Sequence, residues 1–300
     1  MTQTVEATKF GVNATSDGWG SNPQHRPVEA QLLETPTLTL LNEAKDLSGM
    51  VKSNFNIAKM LKKKGLPRST IDFMCVDGAE IGAVNMLMAG ARQGETTIAP
   101  RPWLSAGVCT PHSLDLELED IAKLRFVAQQ LDEMRKVVKF VRGHYYSLFL
   151  WRERSALELL LPGDTRFATN FIIAGRLVKE QDSAKEMVAD RRFDQWLEGK
   201  LEGKKTGNKI YKALGMWVKE KVNDADWWVK NETILSIVDP IIELLRLGDS
   251  ELPLMGKAYH RMSLISSTLD DTEFAPGLSM RQRAEVVKVC SRHVVRARRM

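Results

Sequence analysis

Two apolar runs, sixty positions apart, each end on an aspartate: Ser16-Asp17-Gly18-Trp19 and Cys75-Val76-Asp77-Gly78, with Cys109-Thr110-Pro111-His112 following the second. A carboxylate at the end of a buried strand is costly unless a cation or several donors meet it, so any fold for this chain must bring both strand ends to a polar place. Two such aspartates invite a divalent cation, Mg²⁺ or Mn²⁺, in the manner of phosphoryl-transfer sites. Asp-Gly is also a common turn dipeptide, so the alternative is that both aspartates cap turns.

Around these motifs the first half of the chain reads as strands. Phe10, Val12 and Ala14 alternate with polar residues, Val28, Ala30 and Leu32 repeat the alternation, and Thr37 to Leu41 adds a third short run. Lys52 to Leu61 carries Phe55, Ala58 and Leu61 at helical spacing and stops at Lys62-Lys63-Lys64-Gly65. Ile71 to Val76 is a nearly continuous apolar run, as expected of a strand buried on both faces. Three strands, a helix and a buried strand match the opening of a ribonuclease-H-like fold, in which the first and fourth strands are neighbours and Asp17 would meet Asp77.

After His112 the period changes. Leu114, Leu118, Ile121, Leu124, Ala128, Leu131, Met134, Val138 and Val141 advance by threes and fours, predicting one long amphipathic helix. Further helices are predicted over 146–160, 167–188, 209–222, 227–247 with a break or kink near Asp239-Pro240, and 255–269, with 199–207 as an exposed connector. The expected class is α/β, an incomplete ribonuclease-H-like mixed sheet over 1–125 and a mainly helical insertion-type region over 126–270. A basic, disordered tail is expected over 271–300.

Composition narrows the function. With 300 residues and 43% hydrophobic content the chain can bury a substantial core. Three scattered cysteines make no disulfide framework, and the amino terminus has no signal-peptide pattern. No apolar stretch approaches membrane-spanning length. The net charge of +5 is concentrated: positions 276–300 hold seven basic side chains against Glu285, a net +6 that leaves −1 for the rest. Such a cluster suits nucleic-acid phosphates or a nuclear import signal, and equally a solvated tail.

Candidate site residues are assigned on chemistry. Cys109 and His112 have the spacing of half a zinc site, but no second half appears among the five histidines, so structural zinc is not expected. His112 could touch a phosphate or orient water near the acidic pair; packing at a helix start is the alternative. Arg166 can grip a phosphate and Phe167 can stack on an unpaired base, although a helix-opening Phe beside an ion-paired Arg explains the same residues. Trp196, Trp217, Trp227 and Trp228 could mark an interface, where aromatic anchors are enriched, but burial in the core is the more ordinary expectation.

Taken in order, Ser16-Asp17-Gly18-Trp19, Val76-Asp77-Gly78-Ala79, Cys109 to Leu116, Leu118 to Leu124 and Asp164 to Phe171 resemble hAT-superfamily transposases, with plant hAT-like proteins nearest in pattern. The likeness covers about residues 10–262. It implies a ribonuclease-H-like core interrupted by a helical insertion, with Asp17 and Asp77 as the first two members of an Asp-Asp-Glu metal set. It places His112 near that centre and Phe167 near distorted DNA. Three departures stand out. Gly82 occupies the position where the second motif usually has Asn, no segment matches the third acidic residue, and the family's zinc-finger and dimerisation regions have no counterpart here.

The resemblance therefore implies a truncated or domesticated derivative, retaining two vestigial catalytic carboxylates, weak in binding Mg²⁺ or Mn²⁺, and acting by binding nucleic acid or protein. Arg281, Arg283, Arg296, Arg298 and Arg299 are the expected phosphate contacts. DNA, a protein partner or a second copy are the expected partners, and the nucleus, otherwise the cytoplasm, the expected location. A residual metal-dependent nuclease and a nonfunctional gene fragment are the competing readings.

Overall fold

The computed structural model describes residues 12–19, 26–35, 39–62, 71–78, 80–161, 168–202, 206–248 and 277–298. The chain divides into two compact units, Met1–Ser113 and Leu114–Ala297, so the boundary falls earlier than the expected residue 125.

The first unit is an α/β layer. β1 (Val12–Trp19), β2 (Val28–Glu34) and β3 (Thr39–Asp46) form an antiparallel meander. After α1 (Asn54–Lys62), β4 (Ile71–Val76) lies parallel beside β1. After α2 (Ile81–Ala89), a hairpin of β5 (Ala91–Gln93) and β6 (Thr96–Ile98) turns at Gly94, whose φ of +59° suits glycine. β7 (Ser105–Val108) then adds parallel to β4, giving the mixed order β3-β2-β1-β4-β7.

One face of this sheet is covered by helices. Val12, Ala14, Leu33, Met74 and Val76 pack into one buried cluster with Ile57, Ala58 and Leu61 of α1 and Ala83, Val84 and Leu87 of α2. Each fully buried Leu, Ile, Val or Met there contributes roughly 1.5–3 kcal/mol. In β2 the alternation runs opposite to expectation: Glu29, Gln31 and Leu33 are buried, while Val28, Ala30 and Leu32 are half-exposed. The register is the cause. Leu33 sits opposite Ala14, Gln31 opposite Ser16 and Glu29 opposite Gly18, all on the inward side of β1.

The second unit is helical. Its elements are α3 (Thr110–Ala122), α4 (Arg125–Gly143), α5 (Tyr145–Arg152), α6 (Ala168–Lys179), α7 (Gln181–Ala189), α8 (Arg191–Glu202), α9 (Thr206–Asn223), α10 (Ala225–Gly248) and α11 (Met280–Arg298). The single long helix expected after His112 is two, because Leu124 is extended (ψ 128°) between α3 and α4. The helix expected over 146–160 stops at Arg152, and that over 167–188 divides at Glu180. Most of the connector expected at 199–207 is helical, within α8 and α9, while α10 continues through Pro240. The helix expected over 255–269 lies outside the described residues.

Trp227 and Trp228 are buried at 1% exposure, edge to face with centroids 4.8 Å apart, and the Trp228 indole donates to the Val222 carbonyl at 2.8 Å. Trp196 and Trp217 pack half-buried against the same core. The disordered tail expected over 271–300 is corrected for most of its length. Residues 280–298 form α11, whose Val286, Val289, Cys290 and His293 are buried at i, i+3, i+4 and i+7.

Candidate functional site

The strand pairing brings the two aspartates to one place. Thr15 pairs with Cys75 and Ser16 with Val76, so Asp17 and Asp77 come next in register on neighbouring strands; Asp77 lies just past the end of β4, whereas Asp17 lies within β1, paired with Ala30, rather than at its end as expected. Asp17 is exposed. Asp77 is half-buried, and its Oδ1 accepts the Glu80 amide at 3.0 Å, holding the turn that opens α2. The turn-capping alternative thus describes Asp77 as it stands. A divalent cation would find here two carboxylates at most, one of them already holding a helix start. Among the described residues no three His, Cys, Asp or Glu side chains are grouped to hold a metal ion.

Behind this pair, on the helix-covered face, lies an acidic cluster that strand patterning did not reveal. Ser16, Glu29 and Glu80 are buried at 2%, 0% and 0% exposure. A Cβ built on Gly18 would lie 2.5 Å from Glu29 Oε2, 3.2 Å from Lys52 Nζ and 3.4 Å from Glu80 Oε1, so three charged side chains converge over one glycine. Ser16 Oγ donates to Glu29 Oε1, but Glu29 Oε2 and both Glu80 oxygens meet no ordinary donor. A proton retained by Glu80 resolves this shortage, because a protonated carboxyl can donate to its neighbour. Burial raises the Glu80 pKa to about 8, helped by the hydrogen bond and charge of Glu29 and by the charge of Asp77, while Lys52 acts the other way. Without exposure to solvent, the cluster can brace the strand ends but cannot reach a substrate. The signal for it in the sequence is a Glu and a Gln at alternating positions of an otherwise apolar strand.

A second polar group gathers at the ends of β4 and β7. The Cys109 amide donates to the Val76 carbonyl at 2.8 Å, and Cys75 lies on the neighbouring strand opposite Gly107. Cys109 is also the residue whose carbonyl accepts the first bond of α3, from Ser113 at 3.0 Å. The neighbouring Cys75 thiol lowers the Cys109 pKa to about 6 despite burial, with the His112 amide and the charge of His112 acting in the same direction and Asp17 against it. The Cys75 thiol is pushed well above its usual range by Cys109 and by burial. His112 thus stands in the first turn of α3, its amide turned to a sulfur.

The remaining expected contacts fall elsewhere. Arg166, Phe167 and Arg299 lie outside the described residues, and Arg296 and Arg298 are placed only as backbone of α11. Arg281 is 90% exposed and pairs with Glu285 at 3.2 Å, and Arg283 is half-buried. α11 is held from beneath: His293 Nε2 meets Asp120 Oδ2 at 3.1 Å, and Cys290 bonds the buried Glu117, whose pKa burial raises to about 7.

No protein-family model matches the chain, and no curated protein matches it. Among the described residues no helix is long and apolar enough to cross a membrane.

Proposed function

We propose that this chain is a nucleic-acid-binding protein derived from a hAT-type transposase, acting through phosphate contacts rather than strand cleavage. The observation that carries the reading is α11. Its six basic side chains stand against one acidic residue, its apolar side is buried, and Arg281, Lys288 and Arg292 are exposed. A basic helix seated by its apolar side offers phosphates a fixed row of donors, at less ordering cost than a disordered tail of equal charge. The ribonuclease-H-like reading of the first unit draws support from its strand order and from Asp17 and Asp77 lying next in register. The role of Asp77 in holding α2 favours a structural use of that pair.

Binding of labelled duplex and single-stranded DNA across a salt series tests this. Affinity should fall steeply with salt, and changing Arg281, Lys288 and Arg292 together to Gln should flatten the log–log slope by up to ~2.7, about 0.9 per lost phosphate contact. No binding at low salt, or an unchanged slope in the triple variant, would overturn the proposal. Mn²⁺-dependent cutting abolished by Asp77→Asn would replace it with a nuclease.

A further inference from the structure

We propose that the second unit holds a binding site for a small aromatic monocarboxylate, in a cavity of about 180 Å³ where the start of α11 meets α4 and α10. The inference is independent of nucleic-acid binding, since Arg281, Lys288 and Arg292 take no part in it. The floor of the cavity is apolar: Ile234 and Leu278 are buried at 3% and 7% exposure, and half-buried Phe126 packs against the same core. One end is closed by Gly277, where a Cβ would lie 2.6 Å from Thr233 Oγ1. That hydroxyl is itself held by its bond to the Val229 carbonyl at 2.8 Å. The segment entering α11 is therefore pressed against α10, and the cavity keeps its wall without a ligand.

The rim carries Gln129, Gln130, Gln282 and Lys230, and the partners of each amide decide which end it keeps for a ligand. Buried Asn231 donates through Nδ2 to the Trp227 carbonyl at 2.7 Å and to Gln130 Oε1 at 3.0 Å. A carbonyl only accepts, so the Asn231 nitrogen is fixed there, and Gln130 gives up its oxygen and keeps its NH₂. Gln282 Oε1 accepts the Ser279 amide at 2.9 Å while Ser279 Oγ accepts the Gln282 amide at 3.3 Å. This reciprocal cap locks the Gln282 side chain and leaves its NH₂ for a further acceptor. Gln129 is the reverse case: its Nε2 donates to the Glu133 carboxylate at 3.1 Å, so its oxygen is what remains. Lys230, exposed beside them, adds one positive charge.

Two NH₂ groups and one ammonium thus stand against a single amide oxygen, above an apolar floor. A carboxylate matches that set, offering its two oxygens to the amides and its charge to Lys230. A phosphate monoester carries close to two charges, and Lys230 is the one cation lining the cavity among the described residues. The space sets the body of the ligand. An apolar cavity of roughly 150 Å³ holds one benzene ring, so 180 Å³ admits a single ring with its carboxylate, and Phe126 supplies an aromatic partner. Gln129 Oε1 can accept from a ring hydroxyl, which makes a hydroxylated ring the better fit.

Methyl NMR of the full chain titrated with para-hydroxybenzoate tests this. The Ile234 and Leu278 methyl signals should shift and saturate by about 10 mM, in the range open to a single-ring ligand. The neutral para-hydroxybenzamide should bind about two- to fivefold more weakly, the worth of one exposed charge pair. Lys230→Gln, at an exposed position, should bring the acid down to the level of the amide. Gln130→Glu keeps the oxygen that Asn231 needs and exchanges the NH₂ for a second oxygen, so it should weaken the acid at least about tenfold. Absence of saturable shifts at Ile234 and Leu278, equal binding of acid and amide by the unaltered chain, or unaltered affinity in Gln130→Glu would each overturn the proposal. Phenyl phosphate binding more tightly than the acid would overturn the choice of a monocarboxylate.

Discussion

Replacing Glu80 by Gln tests the buried acidic cluster. Glu80 has no exposed surface, faces Glu29 and has its pKa raised to about 8 from an ordinary 4.5. A raised carboxyl pKa means that the folded state keeps a proton the unfolded chain has released, so stability falls as pH rises from 4.5 towards 8 and levels off beyond. At about 1.4 kcal/mol per unit, that interval sets a ceiling of roughly 5 kcal/mol. In Glu80→Gln the amide donates to Glu29 at every pH, and nothing is left at position 80 to titrate. Urea unfolding followed by circular dichroism at pH 5 and pH 8 should show the wild type losing several kcal/mol more than the variant, whose own residual slope reports Glu117 and its neighbours. The Glu80→Gln variant should therefore be the more stable protein at pH 8. Parallel losses in the two proteins would refute the assignment of a proton to this cluster.

Two further substitutions probe the packing around the proposed sites. Gly18→Ala would place its Cβ 2.5 Å from Glu29 Oε2 and should cost about 1–3 kcal/mol, read as a lower urea midpoint; an unchanged midpoint would show that Glu29 moves aside freely. Val289→Ala removes a side chain buried at 2% exposure under α11 and should cost about 1–3 kcal/mol in the same assay.

How far the sequence disclosed the structure depended on whether period and burial agreed. They agreed in β1, where Val12 and Ala14 are buried as their alternation suggests; Ile71–Val76 is a central strand, but only Met74 and Val76 are buried and Asp72 is exposed, so it is not covered on both faces as its apolar run suggests. They disagreed in β2, where Glu29 and Gln31 occupy inward positions because partners wait for them: Ser16 donates to Glu29, and Asn42 Nδ2 donates to Gln31 Oε1 at 2.8 Å. A polar residue with a buried partner cannot be told from a surface residue by alternation. At Leu124 the apolar spacing runs unbroken through an extended residue, so periodicity alone does not show the end of α3. In α11 the arginines dominate composition and hide the Val286, Val289, Cys290 and His293 stripe beneath them. The proximity of Cys75 and Cys109 required the register of two parallel strands, which neither motif carries alone.

The seating of α11 has an effect on discrimination. While Val286, Val289 and Cys290 stay embedded, the exposed Arg281, Lys288 and Arg292 keep a set angular spacing, which a ligand of the proposed kind would have to match as well as the charge. A chain whose helix had come loose would retain its positive valence yet lose the template. If the proposed phosphate contacts are real, such a protein would keep its salt-dependent attraction to polyanions and lose any preference that depends on a fixed spacing of charge.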